Sequence, residues 1–180
     1  LGDHQKENAI LAYKLLQLLN RHKIINIQTT RTKSHLEKTR WPGRFQIIAK
    51  NPIVIFDVCH NDDSIKMFLK NVKRYQDNSR RKYLVCGFEH NKDIQNQLLK
   101  MESFFSEIVC TETSIRKSMK AESIKKIFNN QKHISIIKNP EESILYVIKK
   151  AKKNEQIYII GSHFFGIYVE KIFKNCFGID

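Results

Sequence analysis

The chain has 180 residues, 41% of them hydrophobic, enough for one substantial core or for a core with an appendage. No run approaches the roughly 18 apolar residues of a membrane helix, and no charged-then-apolar leader opens the chain, so membrane and secretory classes are set aside. The formal charge of +14 raises nucleic acid, but the lysines are spread over nearly every segment among abundant Ile and Asn, as an AT-rich genome produces without a partner; the charge reads first as solvated surface, then as steering of anionic substrates, and last as a nucleic-acid face.

Opening at Leu1-Gly2 without an initiator Met, the chain reads as a fragment or an incompletely predicted protein. Ala9, Ala12, Leu15, Leu16 and Leu19 recur at a helical period, and a second short helix is expected around Leu36. Trp41-Pro42-Gly43 then marks a boundary, so residues 1–40 read as the tail of a preceding domain and 41–180 as a domain of their own. Strands are predicted at Phe45–Ala49, Ile53–Asp57, Tyr83–Gly87, Glu107–Thr111, His133–Ile137 and Gln156–Gly161. Between them lie amphipathic helices whose inner faces are Ile65, Phe68, Leu69 and Val72; Ala121, Ile124, Ile127 and Phe128; and Ile144, Val147, Ile148 and Ala151. Val169, Ile172, Phe173 and Cys176 form another face, and Ile94, Leu98 and Met101 a weaker one. Repeated strand–helix–strand units require an α/β fold with a mainly parallel sheet covered on both faces. The first two strands, separated by Lys50-Asn51-Pro52, must instead form an antiparallel hairpin, which makes the sheet mixed.

The cysteines, Cys59, Cys86, Cys110 and Cys176, have neither CxxC spacing nor a His partner at zinc-like spacing, so no metal site is expected from them. Cys86 and Cys110 fall in apolar strand-like runs, which predicts buried, reduced thiols and a reducing, cytoplasmic compartment.

Polar groups stand at the carboxyl ends of three predicted strands, where open α/β sheets bind ligands. Arg44, held in the turn that Pro42-Gly43 begins, can grip a phosphate or carboxylate with two parallel hydrogen bonds, or else form a surface ion pair. Asp57 ends an apolar strand and can accept from ribose hydroxyls or sit at the next helix's positive end. Because Asn61, Asp62 or Asp63 can cap that helix, Asp57 is expected to be freer for a ligand. His60, in the same turn, can orient a substrate or move a proton, or be an ordinary surface histidine. Gly87-Phe88-Glu89-His90-Asn91-Lys92-Asp93 follows the third strand, and Lys92 can bind a carboxylate. Gly161-Ser162-His163 follows the last strand, where Ser162 can donate to an anion. Neither a Gly-x-x-x-x-Gly-Lys-Ser/Thr nor a Gly-x-Gly-x-x-Gly loop occurs, so a main phosphate cradle is not in these residues.

These motifs resemble the carboxyl-terminal part of folylpolyglutamate synthase/dihydrofolate synthase, a branch of the ATP-dependent Mur ligase superfamily. Gly2-Asp3-His4-Gln5-Lys6-Glu7-Asn8-Ala9 is similar to the family's Gly-x-His-Gln-x-x-Asn-Ala stretch, and Trp41-Pro42-Gly43-Arg44 to its Trp-Pro-Gly-Arg junction. Asp57-Val58-Cys59-His60-Asn61 corresponds to Asp-Gly-Ala-His-Asn, Asn91-Lys92-Asp93 to Asp-Lys-Asp, and Gly161-Ser162 to the late Gly-Ser turn.

The resemblance implies a Rossmann-like, mixed six-stranded sheet with helices on both faces, preceded by the helical tail of a central ATPase domain. It implies a ligase that uses ATP to phosphorylate a carboxylate of dihydropteroate or of a folate glutamyl tail, after which the amine of L-glutamate displaces phosphate. Asn8 would then contact adenine, Arg44 the ATP phosphates and Asp57 the ribose, while His60, as the catalytic group, Lys92 and Ser162 would face the glutamate. Magnesium would accompany the ATP, with most of its ligands outside this chain. The sequence departs from the pattern at Val58 and Cys59, where the family has Gly and Ala, and at His163, where it more often has an apolar residue. The rival readings are a Mur-type ligase of cell-wall precursors and a non-catalytic nucleotide- or nucleic-acid-binding α/β domain. His4-Gln5 and the Trp-Pro pair favour the folate branch.

Overall fold

The computed structural model of the chain describes residues 3–39, 41–75, 81–90, 93–113 and 118–178. It divides into two compact units, Leu1–Trp41 and Pro42–Asp180. The first holds two helices, α1 (Asp3–Arg21) and α2 (Thr29–Lys38). Lys23, at φ 58°, ends α1 in a left-handed turn in which Ile24 N donates to Leu19 O at 3.0 Å. Leu15 does not share the half-buried side of Ala9, Ala12, Leu16 and Leu19. Together with Leu11 and Leu18, one turn away on either side, it lies exposed.

The second unit carries β1 (Gln46–Lys50), β2 (Ile53–Asp57), β3 (Lys82–Cys86), β4 (Glu107–Cys110), β5 (Ile134–Ile136) and β6 (Gln156–Ile160). Its helices are α3 (Asp62–Arg74), α4 (Gln95–Met101), α5 (Ala121–Ile127), α6 (Pro140–Lys150) and α7 (Phe165–Ile172). The expected α/β class is observed: a six-stranded sheet in the order β1-β2-β6-β3-β4-β5, in which β1 and β2 pair antiparallel and the other neighbours run parallel.

β2 matches its predicted span, and each other strand is shorter or shifted by a residue or so, for a local reason. Phe45 is outside β1 because its φ of 45° breaks the extended backbone. Gly87, Thr111 and Gly161 belong to turns beyond the last strand residues, and His133 closes a single 3₁₀ turn before β5.

Strand side chains alternate between two cores. Ile55, Leu84, Ile108 and Tyr158 pack with Ile65 and Phe68 of α3, Leu98 and Met101 of α4, and Ala121 and Ile124 of α5. Val54, Phe56, Val85 and Ile159 pack on the other face with Ile144 and Val147 of α6 and Phe165 and Val169 of α7. Burying each large aliphatic side chain stabilises the fold by about 1.5–3 kcal/mol. Helix starts are marked locally: Asn61 and Ser64 form a reciprocal capping box on α3, and Asn139 caps α6 ahead of Pro140. Among the described residues no helix is long and apolar enough to cross a membrane.

This topology positions the site. β2 and β6 are adjacent and parallel, but α3 leaves β2 toward one face and α7 leaves β6 toward the other. Their carboxyl-end turns therefore diverge, the kind of switch point at which open α/β sheets bind ligands.

Candidate functional site

Asp57 ends β2 with only 7% of its surface exposed. Its Oδ2 accepts from Phe45 N at 2.9 Å and its Oδ1 from Cys59 N at 2.8 Å. The expectation that a separate cap on α3 would leave Asp57 freer is corrected. Asn61 does cap the helix, yet both Asp57 oxygens are engaged by backbone N–H groups. Burial pushes the carboxyl up to about 6, while the two backbone donors and the Arg44 cation pull the other way.

The Asp57 carboxylate thereby clips the left-handed Phe45, and with it the adjoining Arg44, onto the end of β2. The clip is reinforced from both sides. Val58 N donates to Gly43 O at 2.9 Å, and the Gln46 side chain accepts from Gly43 N at 2.8 Å while donating to Cys176 O at 2.9 Å. Arg44 itself is half-buried and, among the described residues, makes no ion pair. Its guanidinium is therefore available to an anion.

Val58 and Cys59, the two departures from the small-residue pattern, are both buried. Val58 closes over Gly43: a Cβ added there would lie 2.7 Å from Val58 Cγ1, and Gly43 already sits at φ 71°. Cys59 enters the core on the α3 side, and burial holds its thiol well above the usual range. All four cysteines are free thiols, and Cys86 and Cys110 stand side by side on β3 and β4, as buried reduced thiols were expected to.

His60 is fixed at two points. Its backbone N donates to Ser64 Oγ at 3.1 Å, and its ring Nδ1 lies 2.9 Å from Val58 O. A carbonyl can only accept, so Nδ1 carries the hydrogen, and in the neutral ring Nε2 keeps the lone pair.

Ser162 is buried, and its Oγ accepts from Phe164 N at 3.2 Å, so its first role is to cap the turn into α7. Lys92 lies outside the described residues, as do Asn91 and Gly2. Asn8 is an exposed residue of α1 in the first unit. The structure thus brings Arg44, Asp57, His60 and the Ser162 turn to one sheet edge.

Two participants were not singled out as site residues. His163 meets His60 with ring centroids 5.9 Å apart, and the carboxylate of Glu89, beyond β3, acts electrostatically on His163. Glu89 stood in the motif after the third strand, but only the adjacency of β3 to β6 gives it meaning.

Against known proteins, the profile described as "Mur ligase, glutamate ligase domain" matches residues 43–163. The chain belongs to the Mur ligase family. The dihydrofolate synthase/folylpolyglutamate synthase of Bacillus subtilis is 27% identical over 97% of this chain and 40% of its own length. Of solved structures, a Mycobacterium tuberculosis folylpolyglutamate synthase complexed with ADP and AMPPCP aligns with a TM-score of 0.78 at 18% identity, over 96% of this chain and 40% of that one. E. coli FolC in complex with DHPP and ADP gives 0.72 at 23% identity, over 82% of this chain and 35% of that one. This Mur ligase chain therefore spans about two fifths of the length of its Bacillus relative, and its similarity runs to the folate branch, as its motifs implied.

Proposed function

We propose that this chain is the C-terminal part of an ATP-dependent carboxylate–amine ligase that adds L-glutamate to dihydropteroate, to folate glutamyl tails, or to both. The observation that supports this most directly is the meeting of His60 and His163 at the β2 and β6 turns, beside Arg44, which makes no ion pair among the described residues. In this reading Arg44 grips the ATP phosphates, since a guanidinium matches two phosphate oxygens at once. Asp57, at the end of β2, accepts from the ribose hydroxyls.

The glutamate amine attacks the acyl-phosphate carbon, the carbon–oxygen bond to phosphate breaks, and phosphate leaves with the electron pair. His60, its Nδ1 hydrogen held by Val58 O, presents Nε2 to take the proton that the nitrogen sheds. Lys92 and the Ser162 hydroxyl hydrogen face the glutamate carboxylates. Among the described residues no three potential metal ligands converge, so no step here is assigned to magnesium. A central ATPase domain preceding this chain would supply the phosphate loop. The four free thiols support a cytoplasmic setting.

The test uses the full gene product with ATP, L-glutamate and either dihydropteroate or tetrahydrofolate, following phosphate release. Glutamate-dependent phosphate with at least one acceptor is expected. Its absence with both acceptors overturns the proposal.

A further inference from the structure

The juxtaposition of His60 and His163 follows from strand register. Asp57 pairs with Ile160 across β2 and β6, and each histidine lies three residues beyond its member of that pair. The two rings meet at 5.9 Å between centroids with a 56° tilt. His60 cannot swing away freely, because its backbone N is bonded to Ser64 Oγ and its Nδ1 to Val58 O. The charges of Arg44, in the turn before β1, and of Glu89, beyond β3, both act on His163.

His163 therefore lies in the field of an arginine, a histidine and one carboxylate. Partial desolvation, then the Arg44 cation, then His60 hold its imidazole below the usual histidine range, and Glu89 offsets this in part. An isolated site of this kind disfavours a third positive charge. A bound oxyanion reverses that balance, because it attracts the proton that the cations repel.

We propose that His163, set beside His60 at the ends of β6 and β2, is a proton-linked oxyanion site, at which a carboxylate or phosphate binds together with one proton. This deepens the proposed function and rests on its reading of this edge as the place that receives the glutamate carboxylates. It makes His163 a specificity-determining residue. The site favours ligands that present an anion to His163, and it binds them most tightly below the free His163 transition. The gain is lost as pH rises through the transition of the bound form.

The test follows the imidazole resonances of His60 and His163 by NMR across pH in the 180-residue chain, with His60→Gln and His163→Gln for assignment. Probes are L-glutamate, inorganic phosphate and neutral glutaramide. His163 is exposed, so its replacement leaves the core intact, which a thermal melt checks. The expected result is an upward move of the His163 transition with L-glutamate or phosphate but not with glutaramide. Each pH unit of that move corresponds to about tenfold tighter binding on the acid side. The His163→Gln chain should bind as the parent does at alkaline pH and lack the acid-side gain.

A shift with phosphate alone supports the oxyanion site and removes the glutamate reading of this edge. If L-glutamate moves His60 but leaves His163 unchanged, this inference is overturned and the proposed function stands. No shift of either ring with either anion also overturns it.

Discussion

After β2 the chain turns through Val58, Cys59 and His60, whereas after the neighbouring β6 it turns through Gly161, Ser162 and His163. The first turn is shaped by an added acceptor: the buried Asp57 carboxylate takes two backbone N–H groups and draws in the left-handed Phe45. The second is shaped by a missing side chain. Gly161 sits at φ 119°, and a Cβ there would come within 2.1 Å of Gly87 O. Both devices end in a histidine at the same sheet edge. They differ in what they respond to: the contribution of the Asp57 turn changes with pH, while the glycine contact answers only to sterics.

The largest break in this comparison should come from Gly161→Ala. The clash is with backbone and the φ is unfavourable, so a loss of about 3 kcal/mol or more is expected in a urea melt. A loss under about 1 kcal/mol would mean that the β6 turn has slack that the contact distance denies.

The clip is tested next through pH. Asp57 titrates near 6 in the fold against 3.8 for a free side chain, so the folded state holds its proton more tightly. The sign follows: this group's contribution is fully present below pH 3.8 and is lost as pH rises through 6, about 3 kcal/mol in all. Comparing urea midpoints of the parent and of Asp57→Asn across this range should show the fall only in the parent.

Gly43→Ala asks how tightly the two sides of the β2 turn are coupled. Its cost should be about 2 kcal/mol, part from the left-handed φ and part from Val58. Val58→Ala should then cost about 1 kcal/mol less in the Gly43→Ala background than in the parent, read from a double-mutant cycle. Independent, additive losses would show that Val58 does not define the Gly43 turn.

Ser162→Ala removes one turn acceptor and should cost about 1 kcal/mol. Arg44→Ala should change stability least, by under about 0.5 kcal/mol, while phosphate binding to the chain falls about tenfold or more. Comparable losses of stability and binding would make Arg44 structural.

Much of this architecture was legible from periodicity, because covering helices and strands must show apolar residues at 3.6- and 2-residue spacing. Ile65, Phe68, Leu69 and Val72 were readable as a buried helix face for that reason, and are buried. Asp57 shows where such reading stops. That α3 has its own cap was visible in Asn61, but the backbone donors that occupy Asp57 come from Phe45, twelve residues earlier, and from Cys59. Phe45 was assigned to a strand because nothing in residue type announces a left-handed phenylalanine.

Sequence alone determined the class of fold, the antiparallel first pair and the placement of Arg44, Asp57, His60 and Ser162 at or beside the termini of strands, because local spacing and chain connectivity govern all three. Tertiary structure alone decided that β6 inserts between β2 and β3. That insertion sets His163 against His60 and within the field of Glu89, since parallel register carries equal offsets on adjacent strands to the same height. Charges distant in sequence act on one another only at such short range.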